Sequence, residues 1–283
     1  MTAMLNTLLS MLSAEFVQRA FIMGIIIAVL SSALSIFIVL KKVSLIGDGL
    51  SHTAFGGLAL GYYLNIVPLW VAAVVVVAGS IGITRAIRSK IAGDAAIALF
   101  LQLGLASGIV LLSLARGFGV NLESLLFGSI LLVNMYQISS ALLMLAITLL
   151  LIFLFSKELV YTTFDETQAR ASGLKTWFFD YLISVLAGIV VIASIPIVGI
   201  LLISALLVLP GLTSIQISRS FKQTVILSPI FGIASVVFGL ILSLMLDTAS
   251  GATIVLTGIL LFLITLTAKK TRQIVNKEIQ LRR

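Results

Sequence analysis

Charged residues are scarce in this chain of 283 residues: they make up 10% of it, against roughly a quarter in ordinary soluble domains. Hydrophobic residues make up 60%, so too few polar side chains remain to cover a soluble fold. Cysteine is absent, which excludes disulfides, thiolate metal ligands and catalytic thiols. His52 is the one histidine, so a Ser–His hydrolase could be built only around it.

Sequence signatures of nucleotide and hydrolase sites are also missing. The chain has no G-x-x-x-x-G-K-[ST] phosphate loop, no H-E-x-x-H and no G-x-S-x-G, so it lacks an ATP site of that type and the matching hydrolase sites. The net charge of +8 does not indicate nucleic acid as a partner, because the basic residues stand in short segments between apolar runs. No signal peptide is expected, since Arg19, the first basic residue, follows the first apolar stretch.

Long apolar runs dominate what is present. Several stretches without any charge reach the roughly 20 residues that a helix needs to cross a bilayer: 20–40, 53–84, 95–115, 124–156, 181–218, 224–246 and 248–268. Because lipid offers the backbone no hydrogen-bonding partner, these stretches must be helical. The short alternating strands of a membrane β-barrel are not seen. The sequence therefore predicts an all-α, polytopic protein of the cell membrane, with residues 1–283 forming one transmembrane domain.

The basic residues predict the topology. All of the 18 lysines and arginines except Arg19 and Arg116 fall in alternate loops or in the tail 269–283, which the positive-inside rule places in the cytoplasm. We expect nine transmembrane helices, with the N-terminus outside and the C-terminus cytoplasmic, and eight or nine if some are broken or re-entrant. Residues 1–18 could form an interfacial amphipathic helix. The pairs of crossings would turn near residues 62–68, 116–123, 195–196 and 247–251.

The segment from Gly47 to His52 is the strongest candidate for a functional centre. Asp48 and His52 are ionisable residues at the start of a predicted span, where such residues cost free energy and so indicate function. Being four residues apart, they would share one face of a helix. A carboxylate oxygen and an imidazole nitrogen suit zinc or another first-row divalent ion, and two ligands suit a transit site that the ion must leave. In the alternative, Gly47 to Ser51 form a turn and Asp48 caps the helix that carries His52.

The longest predicted cytoplasmic loop, residues 157–178, contains a second candidate. Thr163 and Glu166 have the spacing of a capping box, and Gly173 suits the end of a helix, so we expect a short helix on the cytoplasmic face. Small and charged residues would keep it slim and hydrated: Asp165, Glu166, Ala169, Arg170 and Ala171. Such a helix could press into a groove of a partner protein; an ordinary solvated loop helix is the alternative.

Charged residues near the predicted outer face form a weaker candidate. Arg19, Arg116, Glu123 and Asp247 could dock a solute-binding protein. Simple solvation of loop charges is the alternative interpretation.

Several segments resemble, in order, the permease subunits of bacterial zinc and manganese ABC importers. They are residues 40–52 (basic, then G-D-x-x-S-H), 125–131 (L-F-G-x-I-L), 163–173 (the coupling loop, T-x-F-D-E-x-x-A-x-x-x-G), 206–210 (usually continued as P-A-A-T-A) and 247–256 (the last outer turn). Gly211-Leu212-Thr213-Ser214 stands where alanines are usual. Some zinc members also carry histidines in the middle spans, where this chain has residues 102–107.

The resemblance implies a homodimer of permeases in lipid, with two cytoplasmic ATP-binding-cassette ATPase subunits and an extracellular or periplasmic metal-binding protein. It implies that Asp48 and His52 bind a transported Zn²⁺ or Mn²⁺ ion between the subunits, and that residues 165–173 contact the ATPase. Histidine with a carboxylate slightly favours zinc, because manganese prefers more oxygen. The chain would work by alternating access, bind no cofactor of its own and catalyse no reaction.

Two hypotheses from other classes stay open on the residues alone. In the first, the chain is a secondary metal or cation transporter driven by an ion gradient, with Asp48 as proton carrier. In the second, it is an intramembrane enzyme. Transport by the purified chain alone would support the first, and substrate turnover would support the second.

Overall fold

The computed structural model describes residues 13–115, 126–128, 133–200 and 202–281. Within these ranges the chain forms helices and no strand. In chain order the helices are α1 (Glu15–Leu40), α2 (Ile46–Leu64), α3 (Pro68–Arg88), α4 (Gly93–Leu114), α5 (Met135–Leu154), α6 (Ser156–Phe164), α7 (Glu166–Ala171), α8 (Thr176–Val198), α9 (Ile203–Ile217), α10 (Phe221–Leu246) and α11 (Ser250–Leu281).

In the described part of the chain, 7 helices are long and apolar enough to cross a membrane: α1, α3, α4, α5, α8, α10 and α11 as far as Thr271. Two further helices, α2 with 19 residues and α9 with 15, pack directly among them. The predicted all-α, polytopic architecture is therefore confirmed.

Two of the predicted turns lie where the sequence places them. Between α2 and α3, Asn65 adopts a left-handed conformation with φ 55°, which asparagine tolerates better than most residues. Pro68 then begins α3. Proline suits this position because the backbone N–H that it lacks would have no partner within the helix. Between α10 and α11, Asp247 has φ 49° and is exposed.

The turn predicted near Ile195 and Pro196 is wrong. Pro196 lies in the last turn of α8. Proline has no N–H to donate to the preceding turn, so the helix ends soon after it. The chain reverses instead at Gly199, whose φ of 76° suits glycine. α8 is also longer than expected, with 23 residues, because it begins at Thr176 and includes the charged residue Asp180. It is therefore a full-length span rather than a broken one.

α1 and α8 lie at the centre of the bundle, and most of their residues are buried. α4 and α5 leave most of their apolar surface uncovered within this chain, so that surface meets lipid or another protein chain. α2 packs against α3, α4, α8 and α9. Of the predicted interfacial helix, residues 1–12 lie outside the described part, and residues 15–18 belong to α1.

Candidate metal site

α2 carries both Asp48 and His52. The helix begins at Ile46, so Asp48 lies in its first turn and His52 one turn further on. The residue before the helix is Leu45, and no side chain caps this end. The interpretation of Gly47 to Ser51 as a turn capped by Asp48 is therefore wrong, because these residues are already helical. The two side chains share one helix face, as their spacing predicts.

That face is the one open side of α2. From Ile46 to Gly61 every residue is buried except Asp48, His52 and Leu60, which are partly exposed. These three positions and Gly56 follow one another at intervals of four, so they form a single row along the helix. Gly56 is buried against α4, so we call positions 48, 52 and 60 alone the open row of α2. The two candidate ligands are thus accessible on a helix that is otherwise enclosed by protein.

Glycines bring α4 against the backbone of α2 beside the open row. A Cβ atom at Gly104 would lie 2.5 Å from the carbonyl carbon of His52, and one at Gly56 would lie 2.9 Å from the carbonyl oxygen of Gly104. A Cβ atom at Gly108 would likewise collide with the ring of Phe55. Gly104 and Gly108 form a G-x-x-x-G pattern, which permits close helix packing in membranes. That pattern is a signal in the sequence that could have revealed this contact.

On the opposite side, α3 fixes α2 in the same way. A Cβ atom at Gly79 would lie 2.6 Å from the methyl carbon of Thr53, and one at Gly57 would lie 2.7 Å from the Cα atom of Ala72. Thr53 is the neighbour of His52 and donates its hydroxyl to the carbonyl oxygen of Gly49 at 2.7 Å. Close contact with two helices therefore leaves α2 little freedom to tilt or rotate alone.

Among the described residues, polar groups of both candidate ligands lack a protein partner. His52 Nδ1 is buried and has no hydrogen-bond partner among the described residues. In the same part of the chain, the Asp48 carboxylate takes part in no ion pair, and the described residues contain no cluster of three or more His, Asp or Glu side chains. One chain thus offers a two-residue donor set, which leaves most of the coordination sphere of a first-row ion to water or to other oxygens.

The short helix predicted in the loop 157–178 exists as α7. Asp165 is its N-cap, and the side chain of Asp165 accepts a hydrogen bond from the backbone N–H of Gln168 at 2.9 Å. The capping box predicted from Thr163 is wrong, because Thr163 still belongs to α6. Gly173 has φ 86°, as suits the residue after a helix end.

The remaining predicted residues of this segment differ in exposure. Ala169 is completely buried and anchors α7 against the bundle, whereas Ala171 is exposed. Arg170 donates to Glu166 at 2.8 Å along the helix. The outer half of α7 therefore presents small and charged side chains to solvent.

The residues predicted for docking a binding protein are only partly described. Asp247 is exposed in the turn between α10 and α11. Arg19 pairs with Glu15 on α1. Arg116 and Glu123 lie outside the described residues.

Comparison with known proteins supplies the family. The family model of the ABC 3 transport family matches residues 13–269. The chain belongs to that family. The resemblance to the permease subunits of bacterial metal ABC importers is therefore confirmed, and the protein is a multi-pass protein of the cell membrane.

Individual relatives cover most of the chain. It is 36% identical over 251 residues to the manganese import system permease protein ScaB of Streptococcus gordonii, covering 88% of this chain and 90% of that one. It is 31% identical over 269 residues to the chelated iron transport system membrane protein YfeD of Yersinia pestis, covering 93% and 90%. Among solved structures, PsaBC from Streptococcus pneumoniae in complex with Fab matches with 34% identity and a TM-score of 0.82 over 92% of this chain and 95% of that chain.

Proposed function

We propose that the chain is the membrane permease of an ATP-driven importer for divalent first-row transition-metal ions, and that Asp48 and His52 are ligands on the transport path. One observation carries the proposal: the two side chains occupy the open row of α2, which is otherwise buried from Ile46 to Gly61. His52 Nδ1 is buried without a hydrogen-bond partner among the described residues, so a rotation of the ring that exposes this atom to an ion would break no hydrogen bond made by it.

Manganese is the first substrate that we would test. Two arguments favour it over the zinc that the Asp–His pair alone suggests. The relative ScaB is named for manganese import, and the chain offers a single imidazole and no thiolate, whereas zinc sites are mostly built from several nitrogen or sulfur ligands. Water and carboxylate oxygens suit manganese. Zinc and iron remain the competitors in the experiment below.

The proposal includes a second copy of the chain beside the open row. α4 runs along this row, yet most of its surface is uncovered within one chain. A partner there would face the open row of the first copy with its own Asp48 and His52. The ion would then pass between two sparse donor sets, which hold it weakly enough to release it.

The full arrangement has nine crossings, formed by α1 to α5 and α8 to α11, with the N-terminus outside. In this orientation α7 and the basic tail lie in the cytoplasm, as the positive-inside rule requires. Two ATPase subunits would bind α7, so ATP hydrolysis would take place on partner chains. An external binding protein would deliver the metal near the turn that contains Asp247.

Transport would follow an alternating-access cycle. The binding protein releases the ion into the outward-open path, where Asp48 and His52 replace part of its hydration shell. Closure of the ATPase dimer moves α7, the helices rearrange, and the path opens to the cytoplasm. Since an ion shifts this equilibrium only through its different affinity for the two states, weak binding in the inward state favours release.

Uptake of ⁵⁴Mn by cells that express the whole importer tests the ligand assignment. His52→Ala and Asp48→Asn should abolish uptake while the permease still inserts, because the first removes the imidazole and the second removes the negative charge of the protein donor set. Glu158→Gln is the matched control: it neutralises an acidic residue of α6, far along the chain from α2. Unchanged uptake in both site variants would overturn the assignment.

The energy source and the metal are tested separately. Competition with Zn²⁺ and Fe²⁺ ranks the substrates. In liposomes, uptake should require the ATPase subunits and ATP. Uptake by the purified permease alone under a pH gradient would overturn the ATP-driven assignment in favour of a secondary transporter.

A further inference from the structure

A chain of ion pairs crosses the end of the bundle at which α7 lies. It starts on α7, passes through the last residue of α3 and a residue in the second turn of α8, and ends just after α1. Its links are Arg170–Glu166 at 2.8 Å, Glu166–Arg88 at 3.9 Å, Arg88–Asp180 at 2.5 Å and Asp180–Lys41 at 2.6 Å. Four elements of the fold are thus connected by alternating charges.

Arg88 is the central member of this chain. Asp180 uses one oxygen for Lys41 Nζ and the other for Arg88 Nη1, and Glu166 Oε1 also accepts a hydrogen bond from Thr176 Oγ1 at 3.2 Å. The Asp180 side chain is 19% exposed and that of Arg88 29%, so solvent screens these pairs only in part. The five residues that form these ion pairs all line a cavity of about 510 Å³. The cavity leaves room for the pairs to rearrange.

The position of Arg88 connects α7 with the helix that carries the metal ligands. The backbone of α7 lies against α6 and α8, and the Glu166–Arg88 pair extends this contact to α3. α3 in turn packs tightly on α2, since a Cβ atom at Gly79 would lie 2.6 Å from Thr53, the neighbour of His52. α3 therefore carries Arg88 at its end and, further along its length, contacts the helix that bears the open row.

We propose that Arg88 is a positioning residue that transmits the movement of α7 to α3, and through α3 to Asp48 and His52. The inference rests on the proposed function, because it assumes that an ATPase moves α7. A guanidinium group suits this role: it stays charged and carries five N–H donors, and here its Nη1 bonds Asp180 while it faces Glu166. Lysine keeps the charge but has fewer spread-out donors.

The competing explanation is that the chain of ion pairs only stabilises the fold. Ion pairs at partly exposed positions contribute little to stability. A structural role would therefore leave the ratio of metal transported to ATP hydrolysed unchanged, or would reduce the amount of assembled complex. A transmitting role changes that ratio in a complex that still assembles.

The experiment uses the permease with its ATPase subunits in liposomes, supplied with Mn²⁺-loaded binding protein. ⁵⁴Mn uptake and ATP hydrolysis are measured on the same preparation. Arg88→Ala should lower the manganese transported per ATP by about tenfold, within the range of typical coupling between sites, and Arg88→Lys should restore part of it. Arg85→Ala is the matched control, since Arg85 is an exposed arginine on the same helix without an ion pair among the described residues.

A second variant tests the same link between Arg88 and Glu166 if the complex with Arg88→Ala does not assemble. Glu166→Gln removes the charge at the other end of the link and should lower the same ratio, and combining it with Arg88→Ala should add little, because both break one connection. A wild-type ratio in Arg88→Ala or in Glu166→Gln would overturn the inference. Absence of ATP-dependent uptake in the wild-type complex would instead refute the proposed function.

Discussion

Gly104→Ala is the sharpest test of how α4 positions the proposed metal ligands. A Cβ atom at this position would collide with the carbonyl oxygen of His52 and lie 2.5 Å from its carbonyl carbon. Even close C–H···O contacts have C···O distances of about 3.3–3.6 Å. The new methyl group therefore has to push the two helices about 1 Å apart, because the atoms it meets belong to the backbone and cannot rotate away.

The energetic balance leaves a folded but displaced site. Overpacking costs about 1–3 kcal/mol, and replacing a helical glycine by alanine returns about 1 kcal/mol through helix propensity. The net loss of about 0–2 kcal/mol is small enough for the protein to persist in the membrane. A shift of about 1 Å at a functional group, however, can reduce activity by about a hundredfold. We therefore expect uptake to fall much further than protein abundance.

The assay is ⁵⁴Mn uptake in cells, normalised to the permease found in the membrane. Gly93→Ala is the control: it makes the same change in the same helix, but its Cβ atom would meet no atom within 4 Å. We expect Gly104→Ala to retain membrane levels near wild type with uptake at least about tenfold lower, and Gly93→Ala to behave as wild type. Equal uptake by the two alanine variants would refute the idea that this contact sets the position of His52.

Two further predictions concern α7 and α9. Asp165→Ala removes the N-cap of α7 and should cost about 1 kcal/mol of helix stability, which would weaken ATPase binding in a titration of purified subunits; Asp165→Asn keeps a capping oxygen, so equal weakening by both would contradict the capping argument. Ser35→Ala removes a buried hydroxyl that accepts from the N–H of Gly211 at 2.8 Å and donates to the carbonyl oxygen of Val208 at 3.0 Å, and each lost hydrogen bond contributes about 0.5–1.5 kcal/mol. Its thermal unfolding midpoint in detergent should therefore drop well below that of Ser31→Ala, whose hydroxyl bonds only within α1, and equal midpoints would argue against the bridge.

The sequence was informative where a local pattern decides the structure. Charge-free runs predicted the membrane helices because a lipid-exposed backbone has no other solution. The spacing of Asp48 and His52 predicted a shared face because a helix repeats every 3.6 residues. The turn predicted near residues 62–68 lies where Asn65 and Pro68 have backbone preferences that suit it. In each case the physical cause lies within a few residues of the feature.

The sequence misled where a distant partner changes the local preference. Asp180 looks like a loop charge that ends an apolar run, yet it lies inside α8 because Lys41, 139 residues away, and Arg88 neutralise it. Because that charge is paired, Asp180 can lie inside the helix, which begins four residues before it at Thr176. No window of residues around position 180 contains this information.

Gly211 shows the same dependence on a distant residue. It stands where the family usually has alanine, and a Cβ atom there would collide with the hydroxyl oxygen of Ser35. The glycine therefore makes room for the hydroxyl that joins α1 to α9. In this chain Gly211 and Ser35 therefore fit each other across two helices.

The contrast between Asp180 and Asp48 gives the strongest physical reason to assign transport to the open row. Both are aspartates on helices of the membrane bundle, where an unpaired carboxylate is costly. Asp180 meets that cost with two cations of its own chain, so its charge is explained by structure. Asp48 has no ion pair among the described residues and lies one turn from an imidazole nitrogen that also lacks a partner there. A cation at this face would pair with Asp48, as the proposed transport role requires, whereas a cationic side chain of the same chain would occupy that carboxylate.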